Sequence, residues 1–165
     1  MNKQELLARR DYFNMVHGVT VRAIDAFSDE ELDFRPRPAM RTPRELIFHM
    51  YSQEQLLAEA AQQSRFTIEA ASRSNPENEA GSSALKGLAT VSHARAYADA
   101  CHQAAEQIFR TMSENDVVRP VESPFGTYPA WQYFLFAHDE HWHHRGQLYT
   151  YLRLLGKEPP MLYDY

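Results

Sequence analysis

The run Tyr133-Phe134-Leu135-Phe136-Ala137-His138-Asp139-Glu140-His141-Trp142-His143-His144-Arg145-Gly146-Gln147-Leu148-Tyr149-Thr150-Tyr151 contains no proline and one glycine. Pro129 stands ahead of it as a helix opener, and Gly156 with Pro159 and Pro160 stands beyond Leu155 as a stop. The pattern predicts one long helix from Pro129 to about Leu155. At about 100° per residue, Tyr133, Ala137, Glu140, Gln147, Leu148, Tyr151 and Leu155 fall within about 60° of His144. The apolar members mark this stripe as the core face, so Glu140 and His144 point inward together, one turn apart. His141 sits at the stripe's edge, while His138 and His143 point away toward solvent.

Working outward, three more long helices follow from the same periodicity. Leu6, Leu7, Tyr12, Phe13, Met15, Val16, Val19, Ile24 and Phe27 describe a first helix over about 3–27. Ser28-Asp29-Glu30-Glu31 closes a capping box for a short turn. Thr42-Pro43-Arg44-Glu45 closes another, with Pro43 at the first helical position, and starts a second helix that runs to about Gln63. Ser92 caps a third, about His93 to Met112, with Ala100, Ala104, Ile108 and Phe109 among its apolar positions. Residues 64–90, rich in Ser, Asn and Gly, read as a long loop, a feature often functional. Val117 to Tyr128 reads as an extended crossover. Four long helices and no internal repeat predict a single all-α domain over residues 1–165, an up-down four-helix bundle with a long loop between helices two and three.

Composition narrows the function. Seventeen Lys+Arg against 22 Asp+Glu give a net charge of −5, and no basic cluster is present, which argues against nucleic acid. No run approaches the roughly 18 apolar residues of a membrane span, and the charged Met1-Asn2-Lys3-Gln4-Glu5 start shows no secretory signal, so a cytoplasmic protein is expected. A lone Cys101 excludes a disulfide framework and fits a reducing compartment; it reads as a small core residue, not a nucleophile. Eight histidines are what composition leaves unexplained. His17, His93 and His102 read as ordinary hydrogen-bonded residues.

A carboxylate and an imidazole at i, i+4 can reach one metal ion, because their side chains stack along the helix. A third ligand must cross the bundle. His49, in the apolar run Leu46-Ile47-Phe48-His49-Met50 of helix two, is the candidate. Bundle cores host such carboxylate–histidine sites on facing helices, and three protein ligands leave a position open. Spacing alone equally fits core polar groups that satisfy one another, with no metal.

Thr42-Pro43-Arg44-Glu45-Leu46-Ile47-Phe48-His49 and the run from His143-His144-Arg145-Gly146-Gln147 through Tyr151-Leu152-Arg153 to Gly156 and Pro160 resemble the DinB/YfiT-like superfamily. The resemblance covers the whole chain in element order. It implies a four-helix bundle that holds a divalent metal through one His of helix two and two residues of helix four. It also implies a metal-dependent hydrolase or a low-molecular-weight thiol transferase, frequently homodimeric. By position the ligands are His49, Glu140 and His144. Glu140 stands where the commoner pattern has His, and His141, at i, i+3 to His144, is the alternate. A His/Glu/His set suits Zn, Ni, Fe or Mn.

Two classes of function follow. In an enzyme, the metal would activate water or a small thiol toward a small-molecule substrate, with Gln147 and Tyr151 orienting substrate or supporting the ligands. In the alternative, the chain is a non-catalytic metal-binding stress-response or interaction module. Finally, Leu135, Trp142 and Tyr149 repeat every seven residues opposite His144. This stripe is expected on the outside, covered by a second subunit or by the C-terminal Met161-Leu162-Tyr163.

Overall fold

Two capping boxes open the first two long helices. The Asn2 side chain accepts from the Glu5 amide and the Glu5 carboxylate accepts from the Asn2 amide at the start of α1, Lys3–Asp25. Thr42 and Glu45 do the same for α2, Pro43–Gln63, with Pro43 in the first turn where its missing N–H costs nothing. The computed structural model describes residues 1–164. A short 3-10 helix, Glu30–Asp33, lies between these helices.

Residues 64–90 are more ordered than a plain loop. They hold two short helices, α3 (Ile68–Ser72) and α4 (Glu79–Leu85). Thr67 supplies the local N-cap of α3 by accepting from the Ala70 amide. The third long helix, α5, spans Val91–Thr111, and its cap is Thr90 rather than Ser92. Thr90 has the extended backbone that a cap requires, and its hydroxyl accepts from the His93 amide, which places Ser92 already inside the first turn. The buried face of α5 runs through Ala94, Ala98, Cys101, Ala105 and Phe109, while Ala100 is exposed.

After α6 (Glu114–Val118) the expected crossover is an antiparallel hairpin, β1 (Pro120–Ser123) and β2 (Gly126–Pro129). Ser123 faces Gly126 across the turn, where Gly126 adopts φ 126°, a conformation that a side chain would strain. The hairpin is tied to the exit of α2: the Phe66 amide donates to Glu122 O at 2.8 Å, and the Glu122 amide to Ser64 O at 3.1 Å. The last helix, α7, spans Ala130–Leu154.

The four long helices form the bundle. α2 packs on both α5 and α7, and α1 packs on the same two, so α1 lies diagonal to α2 and α5 to α7. This explains the long links 26–42 and 112–129, each of which crosses a diagonal. It also explains why α7 buries side chains on more than one face. Tyr149, expected outside, is 9% exposed and joins the cluster of Val19 and Ala23 from α1. Trp142 is half-buried: its indole N–H donates to His138 Nε2 at 2.6 Å, and the Arg145 guanidinium lies 4.1 Å from its ring centroid. Leu135 is also half-buried. Within one chain α1 takes in Tyr149, and the C-terminal Met161 and Leu162 line a hollow together with it, while Leu135 and Trp142 keep part of their surface in solvent. Among the described residues, no helix is long and apolar enough to cross a membrane.

Candidate metal centre

α2 and α7 face one another along the bundle, and this contact sets His49 opposite Glu140 and His144. His49 Nε2 lies 3.7 Å from Glu140 Oε2, and His144 Nε2 lies 3.1 Å from the same oxygen. The two imidazole centroids are 5.0 Å apart, with the rings nearly perpendicular at 83°. One donor atom from each residue lies within 4.8 Å of the others, a group able to hold a metal ion.

The outer contacts of the rings orient those donors. His49 Nδ1–H donates to the Ser74 carbonyl at 2.7 Å. A carbonyl can only accept, so the proton of a neutral His49 sits on Nδ1 and its Nε2 presents a bare lone pair toward Glu140. His144 Nδ1 lies 2.7 Å from Gln147 Oε1, also an acceptor, which leaves His144 Nε2 facing Glu140 in the same way. Two nitrogen lone pairs and a carboxylate therefore converge, an arrangement that repels itself until a cation enters. Burial holds the His49 imidazolium below its ordinary pKa, with the nearby Arg41 charge adding to this against the Ser74 hydrogen bond. Where the imidazolium form of His144 donates its Nε2–H to Glu140, that hydrogen bond holds the carboxyl below the usual carboxylate range. Both shifts favour the unprotonated forms that bind metal.

A model of the DinB superfamily matches residues 12–148. The chain belongs to the DinB superfamily. Among curated proteins, no sequence matches this DinB-superfamily chain. Its fold is shared with a DinB-like protein of Bacillus subtilis at TM-score 0.71 and 18% identity, over 93% of this chain and 95% of that one. It is shared too with the mycothiol-dependent maleylpyruvate isomerase at TM-score 0.69 and 16% identity. That alignment covers 90% of this chain and 63% of the isomerase, so the DinB chain spans under two thirds of the latter's length.

The remaining candidates are placed elsewhere in the DinB bundle. His141, one residue past Glu140, is rotated by about 100° and buried against Phe13 and Tyr51, with Nε2 3.0 Å from Glu54 Oε2. The structure does not bring it to the His49 group. Tyr151 is buried and donates its hydroxyl to the Arg41 carbonyl at 2.9 Å, away from the donor atoms. Gln147 touches the site through His144. His138 is half-buried rather than solvated, with its ring tilted against Phe13 and Phe134 and edge-on to Trp142, and His143 is exposed. Cys101 is buried, and burial pushes its thiol up to about 11, which suits a packing residue.

Periodicity missed Ser74, the acceptor for His49, and Glu54, which binds the rings of helices α5 and α7. Glu54 had a readable signal: it lies four residues after Met50 and three before Leu57, a charge on the buried face of α2. Ser74 had none, since its role depends on how residues 64–90 fold back over α2.

Proposed function

We propose that His49, Glu140 and His144 hold one divalent metal ion and that the chain is a metal-dependent enzyme, a hydrolase or a transferase of a low-molecular-weight thiol. The observation that carries this reading is His49: its Nδ1 proton is committed to a backbone carbonyl while its Nε2 lone pair faces a carboxylate and a second imidazole. A set of two nitrogens and one oxygen suits Zn, Ni, Fe or Mn. When bound, such an ion supplies Lewis-acid activation of water or a thiol.

The chain's own residues do the rest. Ser74 and Gln147 fix the two rings, so neither imidazole need reorganise when charge develops nearby. Glu140 contributes a negative charge that offsets part of the ion's, and its side chain, 42% exposed, leaves the donor group open on one side to a small-molecule substrate. The likeness to a mycothiol-dependent enzyme supports a small thiol as a reactant. A reducing, cytoplasmic setting with a homodimeric assembly completes the proposal; light scattering that returns the mass of one chain would remove the dimer.

The test is metal content. Protein produced without an affinity tag should carry about one ion per chain by elemental mass spectrometry, a stoichiometry that follows from one three-donor group. His49→Ala and His144→Ala should lose it. A wild-type chain that takes up no divalent metal would overturn the reading. Turnover of a thiol and electrophile panel that disappears in His49→Ala would separate the enzyme from a non-catalytic metal-binding module.

A further inference from the structure

Glu140 is also part of the wall of a cavity of about 300 Å³. The opposite walls come from three distant stretches brought together by the pairing of residues 64–66 with β1. Leu57 projects from α2, Phe66 follows its end, Phe125 and Tyr128 come from the hairpin, and Tyr133 and Phe136 come from α7. The rings form a continuous chain: Phe125 to Phe66 at 6.4 Å, Phe66 to Tyr133 at 6.2 Å, Tyr133 to Phe136 at 5.6 Å and Phe136 to Tyr128 at 5.5 Å. Two of the four pairs, Tyr133–Phe136 and Tyr128–Phe136, meet edge to face, one of the geometries that aromatic rings prefer with one another.

Size and charge restrict the occupant. The volume is at the lower end for small-molecule sites, enough for one ring system and a short chain. No Lys or Arg lines the cavity, and its two charged lining residues are Asp139 and Glu140, so the lining offers an anion no partner. With a metal ion held at the donor group the Glu140 charge is engaged by that ion, and the Asp139 side chain is 80% exposed, its charge solvated, so an ammonium group gains little either. We propose that this cavity binds an uncharged aryl group of the substrate, with the rest of that molecule directed toward Glu140. The assignment rests on the metal-centre reading for its catalytic meaning.

Three probes that share one ring system test it by calorimetric titration into the zinc-treated full-length chain: 2-naphthalenemethanol, 2-naphthalenesulfonate and (2-naphthylmethyl)trimethylammonium. The neutral alcohol should bind at least tenfold more tightly than either ion. Phe125→Ala should weaken its binding at least fivefold; that side chain is 71% exposed, so the fold does not depend on it. Phe66→Ala should do the same, with helicity checked by circular dichroism. Equal binding of a charged probe, absent binding of all three, or unchanged affinity in Phe125→Ala would overturn the proposal. The two readings fail separately. Zinc retained without naphthyl binding removes the aryl site alone, and naphthyl binding by a chain that never takes zinc removes the metal centre alone.

Discussion

Ser74 and Gln147 have the same task at opposite edges of the donor group, since each accepts the Nδ1 proton of one imidazole at 2.7 Å. Such outer partners typically affect metal affinity by about 10–100-fold. Gln147→Leu should therefore weaken metal binding by roughly that factor, read by competition with a chelator, while the melting temperature of the metal-free protein stays close to wild type. A second residue controls acid stability. Burial, with the stacked His102 ring at 3.8 Å adding repulsion, lowers the His17 pKa to about 4, although it bonds the Tyr51 hydroxyl and Asp99. In the unfolded chain His17 titrates near its ordinary value of 6.5. Between these values the unfolded state binds more protons, so stability falls as pH drops from about 6.5 to about 4, by about 3 kcal/mol from this group. His17→Gln should flatten that limb in urea denaturation midpoints followed against pH. An unchanged slope would place the acid sensitivity elsewhere.

Helix α4 shows how a short element can serve a distant site. A Cβ at Gly81 would meet the Asn75 carbonyl oxygen at 2.1 Å and its carbon at 2.7 Å, both backbone atoms. Only glycine lets α4 press this closely on the segment that presents the Ser74 carbonyl to His49. Arg41 fastens the same segment through Asn75 and Glu77. Gly81→Ala must push residues 74–76 away and with them the acceptor of the His49 proton. Metal affinity should fall by roughly tenfold, the lower end for loss of an outer partner, while far-UV circular dichroism is unchanged. A variant with wild-type affinity would show that His49 is oriented without Ser74.

Across the whole bundle, two apolar clusters meet at a buried polar layer. Glu54, 0% exposed, is its hub: His102 Nδ1 lies 2.8 Å away, His141 Nε2 3.0 Å and Arg10 3.4 Å, with Arg10 also paired to Glu106 at 2.6 Å. Burial alone would raise the Glu54 carboxyl, but the hydrogen bond from His102, the contact with His141 and the charges of both rings outweigh it and hold it well below the usual carboxylate range. Removing one member of such a buried set leaves the others uncompensated, at a cost of about 3–5 kcal/mol. Glu54→Ala should lose about that much in chemical denaturation. His144→Ala, beside the half-exposed Glu140, should stay helical and cooperative while metal is lost. If the two variants were equally destabilised, the donor group would be a structural element like the Glu54 layer and not an open site.

The capping boxes at Ser28 and Thr42, the long helices and the shared inward face of Glu140 and His144 were legible because each depends on residues within about a turn of one another. Local chemistry also misled where two caps compete within three residues, as at Thr90 and Ser92, and where a helix has two neighbours, as with Tyr149 and His138 on α7. The remaining features depend on which distant segments pack together. That His49 lies opposite Glu140 follows from the α2–α7 contact. That α1 covers the far side of α7 follows from the diagonal order of the bundle. The Ser74 carbonyl, the partners of Glu54 and the aromatic wall joining Phe66 to Phe136 arise from contacts between residues 25 to 87 positions apart. Periodicity tells which face of a helix is buried, but the identity of what it is buried against is a property of long-range packing, where the burial of apolar surface, non-directional by nature, selects the neighbour.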